Sequence, residues 1–330
     1  MNAPLLFVQD LHVGFKVYRG LLHVLNGVQL SVSESEKVGL VGETGCGKTT
    51  IAKSILRILP SPPARVLDGS IRFRAREVLD ISARHLRAFR ASEVAMIFQD
   101  PTAALNPVFT IGSQLMDSIK YSTAGNGLSR RQIFKRAASA LEDVSLPDAE
   151  RILKCYPVQL SGGMRQRVCI ALAIATEAGL LLADEPTTSL DVTIQDQVLR
   201  LLGTLVEERE TSTLLITHSL GVVREWTDRV YVMYAGSIVE TAATKILYED
   251  PSHPYTRGLL QAIPKLTGQG IAAGIDGRIP DYAHPPSGCR FHPRCPQAMK
   301  ICAERRPPLV RLGEQHQVAC FLYGEDSDGE

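Results

Sequence analysis

Apolar and polar positions alternate in short runs over residues 5–36, in LLFVQDLHVGF and again in VLNGVQLSV. A period of two marks strands with one buried face, so these runs predict antiparallel strands of a small sheet. Val38-Gly39-Leu40-Val41 is a continuous apolar run and predicts a strand, and Ile51 to Leu56 then follows a helical pattern. LPSPPARVLDG is a Pro-rich break, after which GSIRF reads as a strand, and Val94 to Phe98 is a further strand candidate. Residues 102–160 read as mostly helical, with breaks at Asn106-Pro107, Gly125-Asn126-Gly127 and Leu146-Pro147. The richest apolar window, Val168 to Ala183, is interrupted by Glu177 and predicts a buried helix followed by a buried strand at Gly179–Ala183. Thr213 to Thr217 is another strand, and Tyr231–Tyr234 with Ser237–Val239 forms a hairpin around Ala235-Gly236. Strands alternating with helices in this way predict an α/β fold.

The chemistry-bearing residues collect where these elements end. GETGCGKTT (Gly42, Glu43, Thr44, Gly45, Cys46, Gly47, Lys48, Thr49 and Thr50) lies between a strand and a helix. The spacing Gly42-x4-Gly47-Lys48-Thr49 is that of a phosphate-binding loop. Glycines let the backbone turn its N–H groups onto an anion, and the new helix adds its unsatisfied N–H groups and positive dipole end. Lys48 would reach the β- and γ-phosphates of ATP, and the Thr49 hydroxyl would ligate Mg²⁺. Phe15 and Tyr18 fall near the turn between the first strands, where an aromatic ring either stacks on adenine or simply packs. Gln99 follows the strand at Val94–Phe98, at the strand end where ligands bind in open α/β sheets.

In Leu160-Ser161-Gly162-Gly163-Met164, Ser161 is placed as an N-cap. The two glycines make this either a second anion-binding helix end or an ordinary capped helix. Asp184-Glu185 closes a buried strand, and two adjacent carboxylates there require positive partners. Asp184 would orient or bind Mg²⁺, and Glu185 would take the proton of an attacking water. His218 ends the strand at Thr213–Thr217 and suits a γ-phosphate contact.

Bulk composition narrows the class. The 330 residues are 45% hydrophobic and 22% charged with a net charge of +1, as in ordinary globular proteins of about two domains. Arg72, Arg74, Arg76, Arg84, Arg87 and Arg90 cluster, but acidic residues are interspersed and there is no basic field to hold nucleic acid. The N-terminus, MNAPLLFVQDLHV, lacks the pattern of a signal peptide, and no window is apolar enough to span a membrane. Of the seven cysteines, Cys289, Cys295, Cys302 and Cys320 crowd into the tail, which suggests metal, either zinc or a 4Fe–4S cluster. The absence of a CxxC pair weakens the zinc reading. The closing Glu325 to Glu330 stretch is acidic and predicts disorder.

Taken in order, the phosphate loop, Gln99, LSGGM, LLLADEPTTSLD and Thr217-His218 resemble the ATP-binding subunits of ABC transporters over about residues 5–250. The resemblance implies a P-loop ABC cassette with an antiparallel β subdomain and a helical insert at about 102–178. It makes Gln99 a sensor of Mg²⁺ and of the membrane subunits, and His218 the switch histidine. Ser161, Gly162 and Gly163, with Asp191, would contact in trans the ATP held by a second subunit. It favours Phe15 over Tyr18 for adenine. Met164 in place of the commoner Gln, and DPSHPYTRGLL from Asp250, resemble the dipeptide, oligopeptide and nickel importer branch, which implies a C-terminal extension over 251–330. The C-x5-C-x6-C-x17-C pattern is similar to members of that branch carrying a 4Fe–4S cluster. The implied partners are two transmembrane permeases, a second ATPase subunit of paralogous sequence and, indirectly, an extracytoplasmic substrate-binding protein. The implied place is the cytoplasmic face of the inner membrane, held peripherally. The expected function is ATP hydrolysis coupled to uptake of dipeptides or oligopeptides, with nickel or another small solute as the alternative cargo. A soluble ABC ATPase acting away from membranes is the competing class, disfavoured by the single cassette and the lack of a heptad run.

Overall fold

The strands, in chain order, begin with β1 (Leu6–Val17), β2 (Gly20–Val32), β3 (Lys37–Val41), β4 (Ala64–Phe73), β5 (Arg76–Glu77) and β6 (Val94–Ile97). They continue with β7 (Leu180–Asp184), β8 (Ser212–Thr217), β9 (Arg229–Tyr234), β10 (Ser237–Ala243), β11 (Val310–Gly313) and β12 (His316–Val318). The structure, a computed structural model, describes residues 3–18, 20–187, 192–263 and 274–324. Glu325 to Glu330, expected to be disordered, lie outside the described residues. The chain divides into two units, one made of Met1–Val32, Lys37–Leu79 and Ile216–Glu330, the other of Ser33–Glu36 and Asp80–Leu215.

In the first unit β1 pairs antiparallel with β2 and β4, giving the order β2-β1-β4-β5. The alternation seen in sequence is the cause: Leu6, Val8, Leu11 and Val13 all face inward. The step from Val8 to Leu11 is three residues, which would flip Leu11 outward in a regular strand. A register shift between Val8 and Leu11, with Asp10 at φ 46°, absorbs the extra residue as a bulge. β4 starts at Ala64, earlier than GSIRF suggests, because Asp68-Gly69, which reads as a turn, lies at a register shift against β1.

The second sheet of this unit runs β3-β9-β10-β12-β11. β3 and β9 are parallel, with Val38 opposite Arg229 and Val41 opposite Val232. Val38, Leu40, Val230 and Val232 are fully buried, each worth about 2 kcal/mol of apolar burial. The tail continues this sheet through β12, where Glu240 to Ala242 face Val318 to His316. Tyr234, Tyr255 and Phe291 close a buried aromatic triad, with ring centroids 4.7, 5.1 and 5.3 Å apart. Glu240 is fully buried but satisfied: it accepts from Ser252 N–H at 2.7 Å, His253 N–H at 2.9 Å and His316 Nε2 at 2.8 Å.

In the second unit β6 and β7 are parallel, from Val94 opposite Leu180 to Ile97 opposite Ala183. Every residue of β7 is buried, as the apolar run Leu180–Ala183 requires, and the strand closes on the buried Asp184. The helix Gly162–Ile174 precedes it, and Glu177, at φ 54°, turns the chain between them. The expected helical stretch contains Pro101–Ala104, Ile111–Tyr121, Arg130–Asp143 and Ala149–Lys154. Ser129 and Gln132 form a reciprocal capping box at the start of Arg130–Asp143. Among the described residues no helix is long and apolar enough to cross a membrane.

Candidate functional site: the phosphate loop and the strand-end carboxylates

In the first unit β3 delivers the chain into Gly42–Gly47, and the helix Lys48–Ile55 follows at once. Packing against the end of β9 dictates the outer glycines. Gly42 approaches so closely that an added Cβ would lie 2.1 Å from the Met233 carbonyl oxygen. Gly47, at φ 109°, would place a Cβ 2.9 Å from both Leu25 Cδ2 and Met233 Cε. Lys48 is buried, and its Nζ donates to the carbonyls of Gly42 at 2.7 Å and Glu43 at 3.1 Å. Those carbonyls satisfy an ammonium that burial alone would make costly. Cys46 is fully buried; burial pushes its thiol pKa up against the opposing influence of Lys48, so it stays a neutral thiol. Its N–H bonds back to the Glu43 carbonyl at 3.2 Å. Thr44 and Gly45 are exposed, and Thr49 and Thr50 are half-buried in the first helical turn.

Three residues that sequence reasoning missed hold this loop from the tail. The Tyr255 hydroxyl accepts the Glu43 N–H at 3.0 Å, and the Tyr282 hydroxyl donates to the Gly45 carbonyl at 2.9 Å. Arg294 donates to both Glu43 carboxylate oxygens, at 2.7 and 3.0 Å. Nothing local in the sequence announces them. Phe15 is half-buried in β1, opposite Leu22 and Ala64, whereas Tyr18 projects fully into solvent. His218 is exposed, directly after β8.

In the second unit Asp184 is the buried last residue of β7, and Glu185 follows in the left-handed region at φ 45°. Such a backbone costs on the order of 1 kcal/mol and is held by its surroundings. Gln99 stands exposed just beyond β6, and its Nε2 donates to Glu185 Oε2 at 3.4 Å. Gln166, buried on the helix Gly162–Ile174, donates to the Pro186 carbonyl and fixes the turn after Glu185, another contact that sequence did not reveal. Ser161 caps that helix, its Oγ accepting the Met164 N–H at 3.3 Å. Ser161 and Gly162 are exposed, and an added Cβ on Gly162 would meet nothing within 4 Å. Gly163 is tighter, with Ile194 Cγ2 at 3.2 Å from its virtual Cβ. Asp191 lies outside the described residues.

All four tail cysteines are free thiols. Cys289, Cys295 and Cys302 each raise the pKa of Cys320, which burial chiefly pushes up to about 11. Burial likewise raises the thiol pKa of Cys289 and of Cys295. Cys302 Sγ accepts the Met299 N–H at 3.4 Å. Of Cys289, Cys295, Cys302 and Cys320, expected as metal ligands, the first and third are tied by the Cys289 N–H to Cys302 carbonyl bond at 2.8 Å. Even so, no group of three or more His, Cys, Asp or Glu that could hold a metal ion is found among the described residues.

The ABC transporter family profile matches residues 25–188, and that of the oligopeptide/dipeptide transporter C-terminal region matches residues 239–302. Over 324 residues the chain is 42% identical to the dipeptide transport ATP-binding protein DppD of Bacillus subtilis strain 168, covering 98% of this chain and 96% of that protein. It is 44% identical over 323 residues to the probable D,D-dipeptide transport ATP-binding protein DdpD of Escherichia coli K12, covering 97% of each. Among solved structures, it is similar to a dimeric ATP-binding cassette in a post-hydrolysis state bound to ADP and Pi. The TM-score is 0.65 and the identity 25%, over 72% of this chain and 98% of that one. The strand–loop–helix at Gly42 and the carboxylates ending β7 are therefore parts of an ATP-hydrolysing cassette. The chain belongs to the ATP-binding proteins of ABC transporters, in the branch that carries the oligopeptide/dipeptide transporter C-terminal region.

Proposed function

We propose that this protein powers an importer of dipeptides or oligopeptides from the cytoplasmic face of the cell membrane, in complex with two permeases and a second, paralogous ATPase subunit. Full-length likeness to dipeptide transport ATP-binding proteins, C-terminal region included, supports the cargo class. In this reading the loop Gly42–Thr50 binds the phosphates of ATP, with Lys48 on the β- and γ-phosphates and Phe15, ahead of Tyr18, against adenine. Thr49, Asp184 and Gln99 would hold Mg²⁺, which when bound offsets phosphate charge. Glu185 orients and deprotonates the attacking water, and His218 contacts the γ-phosphate.

The observation that carries the two-subunit mechanism is Gly162. Its Cβ-free surface meets no neighbour among the described residues of its own chain, unlike Gly42 and Gly47. Its use here is explained by a close approach from outside, by ATP on the partner subunit. Ser161, Gly163 and Asp191 belong to the same trans contact. On the helical unit, Val108, Phe109, Tyr156 and Val158 are exposed, and the Ile111 N–H to Cys155 carbonyl bond at 2.8 Å ties their two segments together. This apolar patch suits a permease loop.

In the same reading Cys289, Cys295, Cys302 and Cys320 would hold a 4Fe–4S cluster, a reading supported by the spacing of the four thiols along the chain and not by any metal-holding group among the described residues. The Met299 N–H directed at the Cys302 sulfur is the kind of donor that stabilises a cluster thiolate. Bound there, the cluster would cross-link a segment with little core of its own. Anaerobically purified protein should be brown, with absorbance at ~400 nm; a colourless protein containing zinc would assign these ligands to zinc.

Purification of the tagged chain from detergent-solubilised membranes tests the transport reading. Two polytopic permeases and a second ATPase should accompany it, and the associated binding protein should take up peptide in preference to nickel. Recovery of this chain alone, or with ribosomes, would remove the importer assignment.

A further inference from the structure

Glu43 is an acidic residue within a loop built to hold phosphate, where a bare carboxylate would repel the ligand. Arg294 meets it with two parallel bonds, Nη1 to Oε2 and Nη2 to Oε1, an arrangement that fixes orientation as well as charge. The Arg294 side chain is only 6% exposed. It is itself held in place: Nε donates to the Asp276 carbonyl at 2.8 Å, Nη2 to the Ile275 carbonyl at 3.1 Å, and the guanidinium lies 5.7 Å from the Tyr234 ring centroid. Tyr255 takes up the N–H of the same Glu43, and Tyr282 bonds the carbonyl of Gly45. The Tyr282 carbonyl in turn accepts the His23 N–H at 3.3 Å, anchoring that arm on β2.

We propose that the tail is a positioning clamp on the phosphate loop, in which Arg294, with Tyr255 and Tyr282, sets the conformation of Glu43–Gly45 and cancels the Glu43 charge. ATP affinity is then governed from 251 positions away along the chain. The inference rests on the reading of Gly42–Thr50 as the nucleotide loop. The three are positioning residues, because they act through Glu43 and Gly45.

Charge cancellation and mere structural bracing make different predictions. Glu43→Gln and Arg294→Ala both break the ion pair, but only Arg294→Ala leaves an uncompensated carboxylate in the loop. The full chain is titrated with a fluorescent ATP analogue, and KM and kcat are measured on the purified complex. Arg294→Ala should weaken nucleotide binding by about tenfold and raise KM alike, with kcat changed less than about twofold. In the Glu43→Gln background the same Arg294→Ala step should cost less than about twofold, and Arg294→Lys, which keeps the charge, should recover part of the loss. Equal losses in both backgrounds, or unchanged affinity in a folded Arg294→Ala protein, would overturn the clamp. If Arg294→Ala does not fold, Tyr282→Phe decides: it removes only the hydroxyl on Gly45 and should weaken binding by about threefold, while unchanged affinity overturns the proposal. A wild-type chain that binds no nucleotide would instead strike the loop reading itself.

Discussion

His253 should make the protein lose stability in mild acid. The residue is buried, its Nδ1 accepts the Tyr255 N–H at 3.0 Å as the cap of the helix Pro254–Gln261, and its ring lies 5.7 Å from Phe291. Burial, and secondarily the charge on Arg257, lowers its pKa from 6.5 to about 3. Glu240, which faces the same segment, takes the His253 backbone N–H, while the ring caps the helix. Because the folded pKa is the lower one, the unfolded chain binds more protons between the two values, and stability falls as pH falls through that window. At pH 5, about 1.5 units below the unfolded pKa, the unfolded imidazole is almost fully charged and the folded one neutral, a loss of about 2 kcal/mol relative to pH 8. Urea unfolding at pH 8 and pH 5, read by the single tryptophan, Trp226, in the same unit, measures it. His253→Asn keeps a capping acceptor but cannot titrate. The wild type should lose about 2 kcal/mol more than the variant between the two pH values; parallel losses would refute the assignment of that acid sensitivity to His253.

Other perturbations separate the roles of individual residues. Glu185→Gln should lower phosphate release by at least about 100-fold while preserving ATP binding; full turnover would remove Glu185 as the base. Gly162→Arg should leave urea unfolding within about 0.5 kcal/mol of wild type yet abolish the ATP-dependent dimer with the second ATPase in size-exclusion chromatography, and a dimer that persists would place Leu160–Met164 outside the interface. Gly42→Ala, with its Cβ driven against the Met233 carbonyl, should cost about 3 kcal/mol in the same unfolding assay and eliminate nucleotide binding.

Much of the cassette is legible in the sequence because its signals are local. The apolar run Leu180–Ala183 of β7, the split of the Val168–Ala183 run at Glu177 and the glycine spacing before Lys48 each report a constraint set by neighbours a few residues away. The bulge at Asp10 is half-legible, since the apolar positions change parity between Val8 and Leu11 and only pairing shows how the strand recovers. Other features are silent. Glycines 42 and 162 look alike in sequence, but the first is demanded by an internal contact and the second by none among the described residues. The bonds from Tyr255 and Arg294 to Glu43 span 212 and 251 residues, and no periodicity or spacing encodes contacts of that range. The tail also reads as an appendage, yet β12 extends the sheet of β9 and β10.

The most direct measurement is peptide uptake by vesicles reconstituted with the complex isolated through this chain, with ATP on the side of the ATPase subunits and peptide-loaded binding protein on the other. Labelled dipeptide should accumulate only with ATP, and accumulation should vanish when this chain carries Glu185→Gln. ATP turnover without peptide movement, or uptake undiminished in the Glu185→Gln complex, would contradict the account.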